Sequence, residues 1–100
     1  MFEKGKIYIS KTDIRNRIWL WKCSKDGYDT VYDHRLLISS TKFLDYAYER
    51  NNPHHGWINN KLATPEEANW LEQCILNPNL RGKNLKDIPQ LKQEINYEIY

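Results

Sequence analysis

Ten residues in the second half of the chain, Leu62-Ala63-Thr64-Pro65-Glu66-Glu67-Ala68-Asn69-Trp70-Leu71, constrain the fold more than any others. Thr64 has a side-chain oxygen that can accept from the free amides of a helix start. Pro65 suits the first helical position, where no N–H is needed. Glu67, three residues after the cap, can reach back to close a capping box, and two acids in the first turn oppose the positive end of the helix dipole. The pattern predicts a helix from about Pro65 to about Leu76, stopped by Asn77-Pro78. Ala68, Leu71 and Ile75 form its apolar stripe with Cys74 beside it, Trp70 lies at the stripe's edge, and Glu66, Asn69 and Gln73 face water.

Upstream, the period changes from helical to alternating. Lys6–Ser10 is a predicted first strand, Lys11–Asp13 a turn, and Arg17-Ile18-Trp19-Leu20-Trp21-Lys22-Cys23 the strongest strand pattern in the chain. Asp26-Gly27 signals a hairpin and Tyr28–Asp33 the returning strand. With an even-numbered turn, Trp19, Trp21 and Cys23 share a face with Tyr28, Thr30 and Tyr32, while Ile18, Leu20 and Lys22 share the other with Asp29, Val31 and Asp33. That arrangement places Trp19 and Trp21 beneath the capped helix and the charged face in water. Leu36–Ser39 is a predicted fourth strand. Thr41–Arg50 leans toward a short helix through Phe43, Ala47 and Arg50, Asn51–Gly56 reads as a loop, and Trp57–Leu62 as a last short strand. Asn79–Asp87 reads as a loop and Pro89–Tyr97 as a terminal helix. The expected architecture is a single α+β domain over residues 1–100. It comprises a twisted antiparallel sheet of three to five strands, open or partly closed into a small barrel, covered by the one main helix of the C-terminal half.

Composition narrows the function classes. No apolar run reaches membrane-spanning length, so no membrane partner is expected and the expected location is the cytoplasm. Cys23 and Cys74, far apart in sequence, fit reduced, buried thiols. The net charge of +2 is unevenly spread. Up to Lys25, seven basic residues (Lys4, Lys6, Lys11, Arg15, Arg17, Lys22 and Lys25) face two acidic ones, Glu3 and Asp13, a local net of +5. The rest of the chain is mildly acidic. Such a bias speaks to partners, not to fold.

Four constellations of residues could carry a function. Cys23, Cys74, His34, His54 and His55 are metal-ligand types, but they lack any knuckle spacing, so no metal and no cofactor is expected. His34 beside Asp33 and Arg35, and the pair His54–His55, are candidates for a His-dependent hydrolase. No phosphate loop, nucleophile elbow or paired-carboxylate motif accompanies them, so no catalytic residue is assigned. A nucleic-acid interface would join Lys11, Arg15, Arg17, Lys22 and Lys25 to Tyr8, Trp19 and Trp21 as stacking platforms. Against it, a domain this small needs its indoles for its core. A protein-binding surface would use the same basic residues with Trp57, Trp70 and the terminal Tyr97-Glu98-Ile99-Tyr100 as exposed anchors.

The stretch Leu62-Ala63-Thr64-Pro65-Glu66-Glu67, followed by Trp70-Leu71 and Cys74-Ile75, resembles small uncharacterised proteins of bacterial phages and prophages with an Ala-Thr-Pro-Glu-Glu helix start. The likeness covers about Lys61 to Ile75 and brings no catalytic residue with it. It implies an accessory role in the host cytoplasm: a non-catalytic protein that binds and inhibits a host defence protein, such as a CRISPR nuclease (an anti-CRISPR role), or that protein's nucleic-acid complex. A scarcity of Ala (Ala47, Ala63, Ala68) beside abundant Asn, Lys, Ile and Tyr suits an AT-rich genome of that kind. The second reading is a nucleic-acid-binding module on the basic N-terminal strands, and the third a small hydrolase.

Overall fold

A computed structural model describes residues 1–12, 17–37, 45–54, 57–77 and 79. Five strands and one helix follow in the order β1 (Ile7–Thr12), β2 (Ile18–Cys23), β3 (Thr30–Leu37), β4 (Asp45–His54), β5 (Trp57–Leu62) and α1 (Pro65–Leu76). The strands form one antiparallel sheet in the order β4-β3-β2-β1-β5, so the last strand returns to the free edge of the first. This is the expected α+β architecture, with the sheet open between the edges β4 and β5.

The helix starts where its capping residues require. The Thr64 side chain accepts from the Glu67 N–H at 3.2 Å, and Glu67 Oε1 accepts from the Thr64 N–H at 2.8 Å. Two otherwise orphaned amides are thereby satisfied. The buried side is centred on Trp70, Leu71 and Cys74, with Ala68 and Ile75 half-buried at its margin. Trp70 belongs to the core and not to its edge.

Several expectations about strands are corrected. Leu36 and Leu37 continue β3 and do not begin a new strand. Part of Thr41–Arg50 is strand: Asp45–His54 is β4, pairing Tyr46 with Leu36, Ala47 with Arg35 and Tyr48 with His34. Ladder pairing with β3, distant in sequence, overrides a weak local helical pattern. Pro53 fits because β4 is an edge strand. Lys11 and Thr12, expected in a turn, extend β1, and residues 51–54, expected in a loop, form the end of β4. Asp13, Ile38-Ser39, His55-Gly56 and the terminal helix expected over 89–97 lie outside the described residues.

The largest correction concerns the indoles. Beyond the Asp26-Gly27 turn, Cys23 pairs with Tyr32 in the expected parity, but a bulge then shifts the register so that Trp21 opposes Arg35 and Trp19 opposes Leu37. The helix packs on the other face, against Ile7, Ile9, Ile18, Leu20 and Leu36. Aliphatic Ile18 and Leu20, expected on the watery side, therefore lie under α1. Trp19 and Trp21 lie on the face away from the helix, with Tyr8, Cys23, Tyr32, Leu37 and Trp57. They are nonetheless buried, because the sheet curls over them. Tyr32 on β3 stacks on Trp57 of β5 with ring centroids 4.9 Å apart, although two strands separate them in the sheet. Bulges in the β1–β5, β2–β3 and β3–β4 ladders accentuate that curl. Phe2 packs edge-on against Tyr8 and Trp21, each at 4.9 Å, and the Arg35 guanidinium lies 4.5 Å from the Trp19 ring centroid. A Trp21 Nε1–H donated to Ser10 Oγ at 2.8 Å satisfies the one polar atom of the most buried indole.

Candidate functional site

The described members of the basic set are spread along β2 and the turn that follows it. Lys11, half-buried, pairs across the sheet with Ile18, and half-buried Arg17 immediately precedes β2, so both lie at one end of that strand. Lys22 lies five residues further along, roughly 16 Å at ~3.3 Å per residue, and Lys25 is exposed in the turn beyond it. Arg15 and residues 97–100 lie outside the described residues. Trp57 and Trp70 are 4% and 2% exposed and sit in opposite cores, so neither indole is the exposed anchor expected of it. β5 turns Trp57 into the curl, and α1 drives Trp70 into the sheet. Among the large side chains that do reach the surface are Tyr28, 85% exposed in the β2–β3 turn, and Tyr48, 58% exposed on β4.

Strand pairing assembles one polar cleft from residues scattered through the first half of the chain. Its volume is about 570 Å3. Lys4 and Gly5 contribute from the N-terminal turn, Lys22 and Ser24 from the end of β2, Asp33 and His34 from β3, and Tyr48 from β4. The turn is pinned in place. The Lys4 N–H donates to Asp26 Oδ1 at 2.6 Å, the Gly5 N–H to the Cys23 carbonyl at 2.8 Å, and Phe2 and Gly27 exchange two main-chain hydrogen bonds. Gly5 has φ +89°, a conformation that favours glycine, and a Cβ there would meet open space.

His34 organises the cleft wall. Its Cα is paired with Lys22 on one side and Tyr48 on the other. Its Nδ1 shares a hydrogen bond of 2.5 Å with Tyr46 Oη, and its ring lies 5.8 Å from Tyr46 and 4.9 Å from Tyr48, centroid to centroid. Burial holds the imidazole below its ordinary pKa of 6.5. Asp33 and Glu72 pull the other way, and Lys22 adds to the depression. Lys22 Nζ and Glu72 Oε1 of α1 pair at 3.0 Å and are both about one-third exposed, which ties helix to sheet with little net stabilisation.

Both cysteines are held as protonated thiols, Cys23 although it also borders the cleft that His34 lines. Cys23 turns into the aromatic core, its thiol donates to the Lys25 carbonyl at 3.1 Å, and burial pushes its pKa up. Cys74 lies under the helix with its thiol pushed up to about 11 by burial. Both are free thiols on opposite sides of the sheet, and a thiol held protonated is a poor nucleophile. Among the described residues no group of three His, Cys, Asp or Glu side chains is placed to hold a metal ion. No helix among them is long and apolar enough to cross a membrane.

The sequence singles out Lys22 as basic and His34 beside Asp33 as a separate candidate, but nothing in it joins them to Lys4, Gly5 or Tyr48. Their positions, 4, 5, 22, 34 and 48, have no local spacing that links them; only the β2–β3–β4 register does. No family model, curated protein or solved structure matches this chain.

Proposed function

We propose that this protein acts without catalysis, as a docking domain that occupies a macromolecular partner. In the finer form of this reading it is a phage accessory inhibitor of a bacterial defence nuclease of the CRISPR class, engaging the nuclease or its nucleic-acid complex. The choice of target rests on the resemblance of residues 61–75 alone. Docking through a polar surface rests on one structural observation: all four tryptophans are core residues, with Trp19, Trp21, Trp57 and Trp70 at 7%, 0%, 4% and 2% exposure. Besides scattered aliphatic side chains such as Ile58, Leu62 and Leu76, the described surface offers a partner charge and hydroxyl groups, with Tyr28 and Tyr48 as aromatic contact points near the β2–β3 turn and the cleft. Tyrosines in polar surroundings are frequent anchors of protein interfaces. The alternative of a nucleic-acid module on the N-terminal strands loses its stacking platforms, since Tyr8, Trp19 and Trp21 are all buried.

The test is stoichiometric inhibition. Purified CRISPR nucleases loaded with guide are assayed for target cleavage with increasing amounts of the protein, and complexes are resolved by size-exclusion chromatography. The expected result is co-elution with one nuclease and loss of its cleavage near equimolar protein, weakened about ten-fold or more by Tyr28→Ala or Tyr48→Ala, as for interface anchors. Free migration against every nuclease of the panel, with cleavage unchanged, sinks the reading.

A further inference from the structure

We infer that the cleft at the end of β2 is a binding site for a single nucleotide unit, with a base laid on Tyr48 and a phosphate held by Lys4. Tyr48 is the aromatic residue of this cleft that remains open. Its ring lies 4.9 Å from His34, inclined 47° to it, and 58% of the residue is exposed. A largely exposed ring held on one side by a neighbouring ring can take a stacked base at a small ordering cost. His34 is itself held by Tyr46, and its depressed pKa keeps it uncharged at neutral pH, so it supports the ring without adding a second cation.

The charges decide the sign and number of the ligand's ionic groups. Lys22 is spent on Glu72 at 3.0 Å, and Asp33 has an interaction of its own. Lys4 is exposed and forms no ion pair among the described residues, while its backbone is anchored to Asp26. One uncommitted ammonium can hold one phosphate, and the Asp33 carboxylate in the same lining repels any further negative charge, which disfavours a run of phosphates. The volume, about 570 Å3, falls in the usual small-ligand range of ~300–1,000 Å3. At Gly5 the absent side chain leaves the backbone beside Lys4 open to close approach. The same chemistry is presented by a free nucleoside monophosphate and by an unpaired nucleotide of a strand. The inference does not depend on the identity of the docking partner.

The full chain, isotopically labelled, is titrated by NMR at low salt with nucleoside 5′-monophosphates, with inorganic phosphate and with a short unstructured DNA strand. The expected result is saturable shifts confined to the amides of Lys4, Gly5, Ser24, His34 and Tyr48. Tyr48→Ala should weaken binding roughly ten-fold, the loss of one stacked base, and Tyr48→Phe should restore it. Lys4→Ala should lower affinity and reduce the salt slope by about one for the strand. Equal affinity for monophosphate and strand identifies a free nucleotide as the ligand; tighter binding of the strand through the same amides identifies an exposed strand. The inference is overturned if neither probe moves these amides, if phosphate alone reproduces the shifts, or if folded Tyr48→Ala binds as the parent does. Nuclease inhibition lost with nucleotide binding intact would remove the proposed function and leave the site; nucleotide binding absent with inhibition intact would do the reverse.

Discussion

Ser10 shows how much one small polar side chain carries in this structure. It lies on β1, almost fully buried, and its hydroxyl serves two partners: it accepts the Trp21 Nε1–H at 2.8 Å and donates to Asn60 Oδ1 on β5. An indole cannot turn its N–H away from the core once its ring is packed among Phe2, Tyr8 and Trp57. Ser10→Ala deletes about one atom of volume but orphans that donor, and an unsatisfied buried N–H costs about 1–3 kcal/mol. We therefore expect Ser10→Ala to lower unfolding free energy by that amount in urea titrations. A change within error would show that the indole N–H finds another acceptor.

Among the elements, α1 was the most legible. Thr64, Pro65 and Glu67 act within one turn of each other, so their meaning does not depend on the rest of the fold, and the helix spans Pro65–Leu76 as read. Thr64→Ala removes the acceptor for the Glu67 N–H and should cost about 1 kcal/mol, while Thr64→Ser should cost much less. Equal thermal midpoints for the Ala variant and the parent would contradict the cap's role. β5 was also readable from its own residues. β4 was not, because Tyr46, Ala47 and Tyr48 become strand only through pairing with β3. The facing of β2 failed for a related reason: alternation separated Trp19 and Trp21 from Ile18 and Leu20, but which set meets the helix is settled by α1's docking. The register that would have placed Arg35 opposite Trp21 depends on a bulge that no composition signals. The cleft inherits this limit, since Lys22, His34 and Tyr48 meet only after β2, β3 and β4 have aligned.

At the scale of the whole molecule, His34 joins β3 to β4 through Tyr46 and Tyr48 and lies beside the Lys22–Glu72 link to α1. Its pKa is depressed in the folded state, mainly by burial. The sign follows: above the ordinary value of 6.5 both folded and unfolded forms hold a neutral imidazole and the full contribution is present. As pH falls below that value, the unfolded chain takes up the proton first and stability declines, until the pH reaches the lower folded value. Urea midpoints measured downward from neutral pH should therefore fall in this window, and His34→Gln should fall less. Parallel profiles for the two proteins would refute the assignment.

The placement of β2 between the aliphatic layer under α1 and the aromatic layer inside the curl has a mechanical consequence. This strand is the shared partition of two separately packed interiors, each sealed by a different device, one by a docked helix and the other by the bending of the sheet itself. Voids cut on the two sides, at Leu71 and at Tyr32 for instance, fall in separate clusters that meet only across this strand, so their penalties should combine close to addition.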